Sequence, residues 1–259
     1  ECLGELAQLD TSEHDWLEGR GESAVLIHLI DDATSLSVMR FYPADTTLAN
    51  MDLIGRWIGR YGRPLAFYMD YAGHFKQLGR RGRRLARKIQ TQIERALGEL
   101  QIEMINARSP QAKGRVERSF ATLQDRLIKE MRLRQIRTIE EANRFLDREF
   151  IPFWNERFTV RAAQPLDAHR SAQGLDLGAI LSVQHTRRVN NDYTIQFRSR
   201  RWQLERGPDG GELAGQRVCV EERFDGSMRV RWRQQYLECA PVARANPEVV
   251  AAAAQEAAL

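Results

Sequence analysis

Cysteine is scarce: Cys2, Cys219 and Cys239 are the three in 259 residues, odd in number and far apart. That excludes a disulfide framework and fits a reduced, cytosolic chain. No Cys-x-x-Cys and no paired His/Cys spacing occurs, which argues against a structural zinc. No apolar run reaches the ~18 residues of a membrane span, and no signal peptide is visible, so no membrane partner is expected. Five histidines (His14, His28, His74, His169, His185) show no pairing with a nucleophile. No internal repeat is present. The chain opens on Glu1 rather than Met, as a fragment would.

Charge is plentiful but uneven. The net charge of +4 conceals 12 Asp and Glu against 5 Lys and Arg from Glu1 to Phe75, then 17 Lys and Arg against 6 Asp and Glu from Lys76 to Arg137. An acidic stretch followed by a basic one suits a cation-binding acid cluster and a polyanionic partner, though solvated surface alone would give the same asymmetry.

Hydrophobic spacing supplies the elements. Leu6–Leu9 and Ala24–Ile30 read as strands joined through Gly19-Arg20-Gly21, and Leu36–Phe41 as a third strand after the Asp31–Ser35 turn. Leu48, Met51, Ile54, Trp57 and Ile58 mark a helix from Thr46 to Arg60, closed by Gly62-Arg63-Pro64. A strand at Leu65–Met69, a helix from Arg84 to Leu100, a strand at Ile102–Ile105 and a helix reaching Arg134 follow. The last of these starts at Ser109 as N-cap with Pro110 in the first turn. Thr138-Ile139-Glu140-Glu141 reads as a capping box. The order predicts an α/β fold with a mixed five-stranded sheet flanked by helices. Residues 1–170 form that core and 171–184, poor in charge, a linker. Alternating short strands over 185–245 predict a small β-barrel-like domain, and the Ala-rich tail 246–259 is expected to be disordered.

Three acids stand out. Asp10 lies in or at the end of the first strand, Asp70 ends the fourth, and Glu117 sits early on the helix after the fifth. Converging carboxylates repel one another, and only a cation keeps them ionised together. Hard oxygen ligands suit Mg²⁺ or Mn²⁺, and two such ions can activate a water or a 3′-hydroxyl and stabilise a phosphodiester's leaving oxygen. Each acid also has a structural reading. Asp10 could cap a strand end, Asp70 could shape a turn, and Glu117 could pair with Lys113 or Arg118. Glu117 lies beside the apolar stripe of Val116, Phe120, Leu123, Leu127 and Met131, which favours the sheet side. Asp31 and Asp32 read as turn caps, and His14 and Asp15 as rivals for a metal role.

These segments together resemble the retroviral-integrase-like catalytic core of DDE transposases, bacterial insertion-sequence enzymes of the ISNCY type in particular. The resemblance is carried by residues Gln8 to Gly21, Asp31-Asp32-Ala33-Thr34, Tyr68-Met69-Asp70 and Ser109 to Arg118. Arg137 to Leu146 and Trp154-Asn155-Glu156-Arg157-Phe158 add to it. It covers residues 3 to 170 and weakens over the barrel-like region, which would be a C-terminal DNA-binding module. It implies an RNase H-like fold, Asp10, Asp70 and Glu117 as catalytic metal ligands, and two Mg²⁺ or Mn²⁺ ions. It also implies hydrolysis at the element's ends, then joining of the freed 3′-hydroxyl to target DNA. Double-stranded DNA, a homo-multimer and a nucleoid-associated cytoplasmic setting follow. An RNase H-like nuclease that does not join, or an inactive DNA-binding remnant, are the alternatives. Forty-six residues separate Asp70 from Glu117, more than in retroviral integrases. The family usually carries an N-terminal helix-turn-helix region that reads the element's ends; with nothing before Glu1, specific end recognition is expected to be lacking in this chain.

The basic residues supply DNA contacts on this reading. Arg80, Arg81, Arg83, Arg84, Arg87 and Lys88 lie between the second and third acids and suit sequence-independent phosphate contacts, or a solvated helix start. Lys113, Arg115 and Arg118 flank Glu117. In the C-terminal module Arg198, Arg200, Arg201 and Trp202 combine charge with an aromatic that more often belongs to a core.

Overall fold

A computed structural model describes residues 1–69, 91–106, 114–205 and 212–242, without the side chains of residues 106, 115 and 117. The chain divides into two compact units, Glu1–Val183 and Gln184–Leu259.

The first unit is built on a five-stranded sheet of β1 (Leu6–Glu13), β2 (Val25–Asp31), β3 (Ser37–Tyr42), β4 (Ala66–Met69) and β5 (Glu103–Asn106). The spatial order is β3-β2-β1-β4-β5. β3, β2 and β1 pair antiparallel, whereas β1–β4 and β4–β5 are parallel. This mixed order, with helices on both faces, is that of an RNase H-like sheet. β1 runs farther than its apolar residues indicate. Thr11, Ser12 and Glu13 continue the ladder opposite Ile27, Leu26 and Val25. Asp10 therefore lies inside β1, one residue past Leu9, whose pairing with Met69 is the last described between β1 and β4.

Side-chain alternation sends the two faces to different cores. Ala7, Leu9, Ile27, Leu29 and Phe67 join one cluster with α1 (Thr47–Tyr61) and α2 (Gln92–Glu99). Leu26, Ile30, Met39 and Phe41 join the other, with α3 (Gly114–Leu133), α4 (Ile139–Phe145) and α5 (Ile151–Phe158). α1 begins where the Thr46 side chain accepts from the Ala49 N–H, and buries Trp57 completely. α2 opens on a capping box between Thr91 and Glu94. The helix expected from Arg84 is described from Gln92, and its predicted start lies outside the described residues. The expected start of α3 at Ser109-Pro110 does too. Thr138 and Glu141 form the anticipated capping box of α4. Gly21 packs so closely on the Arg137 carbonyl that a Cβ would lie 1.8 Å from its oxygen, so only glycine fits.

Between α4 and α5 the helix widens into a single π turn, Leu146–Phe150. The turn has a geometric purpose. Asn143 and Asn155 are twelve residues apart, which in a regular α-helix leaves their side chains about 120° apart. One inserted residue cuts this to about 20°. Both amides then reach edge strand β3. Asn143 accepts from the Phe41 N–H (2.8 Å) and donates to the Phe41 carbonyl (2.9 Å). Asn155 does the same at Ser37, at 2.9 and 3.0 Å. The outward-facing backbone groups of Phe41 and Ser37, near the two ends of this edge strand, are thereby occupied.

Residues 171–184 were expected to be a linker, yet up to Ser182 they are docked on the first unit. Ile180 and Leu181 are buried in its α1/α2-side core, and Arg95 donates to the Ile180 and Ser182 carbonyls at 3.1 and 2.6 Å. Ala172, Leu175 and Leu177 of this stretch also pack, partly buried, against that core, and α6 (Leu177–Ile180) ends on the buried Ile180, so the segment is an anchored one and not a free connector.

The second unit holds strands β6 (Val183–Arg188), β7 (Thr194–Phe197), β8 (Arg200–Leu204), β9 (Arg217–Glu222), β10 (Met228–Trp232), β11 (Gln235–Leu237) and β12 (Cys239–Pro241), in sheets ordered β11-β10-β9-β6 and β12-β8-β7. Ile195, Leu204, Val218, Val220, Val230 and Leu237 fill its core, and Trp202 packs against it. The Glu221 carboxylate is fully buried. It accepts from Arg231 Nε (2.8 Å), Arg223 Nη2 (3.1 Å) and the Tyr236 hydroxyl (3.0 Å). The tail beyond residue 242 lies outside the described residues. Among the described residues no helix is long and apolar enough to cross a membrane.

Candidate active site

Asp10 stands on the α3 face of the sheet. Its β1 neighbours Ala7 and Leu9 point to the opposite core, so Gln8, Asp10 and Ser12 share the other side. Across the antiparallel ladder Asp10 pairs with His28. His28 is fully buried, and burial alone pushes its imidazole down to about 3, so the ring is neutral at pH 7.

α3 closes over this face through two polar contacts. The Ser119 hydroxyl lies 3.1 Å from His28 Nδ1, and Gln124 Nε2 donates to Ser12 Oγ at 3.2 Å. Phe120 meets the His28 ring edge-on at 5.8 Å between centroids. Val116, Leu123, Leu127 and Met131 are buried along the same helix. Glu117 falls in the first turns of α3, two residues before Ser119. It precedes Gln124 by seven residues, two helical turns, so the two positions share one helix row. The backbone thus brings positions 10 and 117 to one face of the sheet. Asp70 lies outside the described residues, but Met69, which precedes it in sequence, pairs with Leu9, which precedes Asp10.

The remaining candidates divide as follows. Arg118 is exposed on α3. Arg115 is in the first turn of α3, and its side chain is outside the described residues, as are Lys113, Arg80, Arg81, Arg83, Arg84, Arg87 and Lys88 altogether. Asp31 is a turn cap. Its carboxylate accepts from the Gly4 N–H (2.9 Å), the Thr34 N–H (2.8 Å) and the Thr34 hydroxyl (2.7 Å). Asp32 accepts from Gln8 Nε2 at 2.6 Å. His14 packs edge-on against Trp16, beside an open cleft of about 670 Å³. In the second unit Arg198 pairs with Glu222 at 2.5 Å and Arg201 with Asp192 at 3.4 Å, while Arg200 is exposed.

His28, Ser119, Gln124 and Ser12 carry the geometry of this face and were not singled out by their sequence context. The available signal was alternation in Val25–Asp31, which puts a polar ring at an even position between Leu26 and Ile30.

The mixed β3-β2-β1-β4-β5 sheet with helices on both faces is of the RNase H-like class. The chain is homologous to insertion-sequence transposases. It is 37% identical over 236 residues to the protein named "Putative transposase y4bF" of Sinorhizobium fredii, covering 90% of this chain and 51% of that one. It is 30% identical over 228 residues to the transposase for insertion sequence IS1202 of Streptococcus pneumoniae, covering 87% and 48%. The chain thus spans about half the length of these curated relatives. No protein-family model matches it. Among solved structures, the HTLV-2 integrase catalytic core domain in complex with magnesium aligns with 55% of this chain and 81% of its own, at 14% identity and a TM-score of 0.41. A simian T-cell lymphotropic virus intasome aligns with 93% and 80%, at 13% identity and 0.47.

Proposed function

We propose that this chain is the catalytic part of a DDE transposase, a polynucleotidyl transferase acting at transposon ends. The observation that carries the proposal is the meeting of position 10 and the Glu117 turn of α3 on one face of the sheet, together with the Leu9–Met69 register. Homology to insertion-sequence transposases supports it.

Asp10, Asp70 and Glu117 offer only carboxylate oxygens, a donor set suited to hard divalent ions and not to zinc or copper. These three residues would hold two Mg²⁺ or Mn²⁺ ions, which when bound polarise the phosphodiester and lower the pKa of the attacking water or 3′-hydroxyl. Lys113, Arg115 and Arg118 bring positive charge beside the phosphate whose negative charge grows as the bond to the leaving 3′-oxygen breaks. Arg80 to Lys88 grip neighbouring phosphates and fix the duplex without reading its sequence. The second step repeats the displacement, with the freed 3′-oxygen as nucleophile and a target phosphodiester as electrophile. Residues 185–245 form the DNA-binding module. The protein assembles as a homo-multimer on two DNA ends and acts on double-stranded DNA in the nucleoid.

A strand-transfer assay with pre-cleaved ends and Mn²⁺ tests this. Asp10→Asn, Asp70→Asn and Glu117→Gln should each abolish cleavage and joining while sparing DNA binding. Retained activity in any of them would sink the site assignment, and cleavage without joining would point to a nuclease.

A further inference from the structure

We propose that His28 and Ser119 are a positioning pair, setting the α3 turn that bears Glu117 against the strand position that bears Asp10. The inference rests on the reading of those acids as one metal-holding site and adds the residues that place them.

The direction of each hydrogen bond follows from proton counting. Ser119 Oγ lies 2.6 Å from the Val116 carbonyl oxygen, so its single proton is donated there. Its lone pairs remain for His28, and the 3.1 Å contact is a bond from His28 Nδ1–H to Ser119 Oγ. The chain His28 Nδ1–H, Ser119 O–H, Val116 carbonyl thus runs one way. It grips the backbone turn from 116 to 119, which contains position 117. Its other end is fixed in β2, directly across the ladder from Asp10. Gln124 to Ser12 is a second tie, on Asp10's own strand and farther along α3.

Simple packing does not account for the imidazole. His28 sits between Leu26 and Ile30, against Phe120, with no solvent exposure. Its Nε2 has no hydrogen-bond partner among the described residues. An apolar side chain would fill this site without a buried, unpartnered ring nitrogen. The cost is understandable if the Nδ1 bond is needed to hold α3 in register. Acids that share ions must be held to within a fraction of an ångström, and the groups behind them set that tolerance.

The test uses the full chain without DNA and reads Mn²⁺ binding from the free-ion electron paramagnetic resonance signal. His28→Phe and Ser119→Ala should each weaken Mn²⁺ binding about tenfold. Each should also speed amide exchange across residues 114–120 in the metal-free protein. The double variant should bind no worse than the weaker single. His28→Asn, whose amide N–H can replace Nδ1–H, should restore near-native binding. A merely structural role would lower the melting temperature yet leave Mn²⁺ affinity unchanged at temperatures well below it, and that result overturns the proposal. If His28→Phe does not fold, the smaller Ser119→Ala change decides the matter. Asp10→Asn is the control. If it too leaves Mn²⁺ binding unchanged, the metal-site reading has failed and the pair falls with it.

Discussion

Asn143→Ala should loosen the β3 edge by an amount that can be worked out from its contacts. Asn143 is 6% exposed, and Phe41, whose N–H and carbonyl it engages, is 1% exposed. Two hydrogen bonds of 2.8 and 2.9 Å disappear, each worth about 1 kcal/mol net. The stranded backbone groups of Phe41 add their own desolvation cost, which water reaching an edge strand partly relieves. Together these give about 2–4 kcal/mol, against a whole-domain stability of about 5–15 kcal/mol. Urea unfolding followed by tryptophan fluorescence should show the midpoint fall without a change in slope, and the Phe41 amide should exchange faster. Asn143→Asp keeps the acceptor for the Phe41 N–H but loses the donor, so its loss should be intermediate. A loss under about 0.5 kcal/mol for Asn143→Ala, with unchanged exchange at Phe41, would refute the claim that this side chain seals the edge. Light scattering adds an independent reading, since an opened edge should promote self-association.

Two further outcomes follow from ion pairs. Arg132, with Arg20 beside it, holds the Glu18 carboxyl down to about 2 from its usual 4.5. Its contribution is complete above the unfolded value and is lost as pH falls through the folded one, so the melting temperature should drop between pH 4.5 and 2. Arg132→Ala should remove much of that acid-dependent drop. Glu221→Ala leaves the guanidiniums of Arg223 and Arg231 facing each other without their shared carboxylate. Their side chains keep 17% and 30% exposure, so the loss should be about 2–3 kcal/mol, below the 3–5 typical of a fully buried pair. Faster amide exchange in β9 (Arg217–Glu222) through β11 (Gln235–Leu237) would report it, and unchanged exchange would count against the clamp.

The sheet was legible because its strands are apolar runs bounded by turn residues, and α1 and α4 because Thr46 and Thr138 are N-cap residues ahead of helical spacing. Other features were invisible for definite reasons. Thr11, Ser12 and Glu13 are not apolar, so nothing local reveals that β1 continues through them on the strength of its partner β2. The π turn has no composition of its own. It exists because Asn143 and Asn155 must both reach β3, a requirement set by a strand about a hundred residues away. Asn155 was noticed only as part of a family resemblance, and the structure gives it a job, closing the Ser37 end of that edge. The 171–184 stretch misled because a low-charge, Gly-containing sequence suits a linker and a docked segment alike. At the candidate site, the acids were visible as residue types. The pairing of His28 with Ser119 was not, because periodicity reports which face a residue takes and not which neighbour meets it there.

The distance along the chain between those two residues has a consequence for synthesis. Ser119 leaves the ribosome 91 residues after His28, so the β1–β2–β3 layer is made well before α3 exists to cover it. Until then one side of that layer carries Asp10 together with Leu26, Ile30, Met39 and Phe41 uncovered. The face is sticky, and it lacks the turn that bears Glu117. A nascent or truncated chain ending before residue 114 can hold part of the fold but not the assembled face. Completion of the candidate site is thereby coupled to completion of the domain.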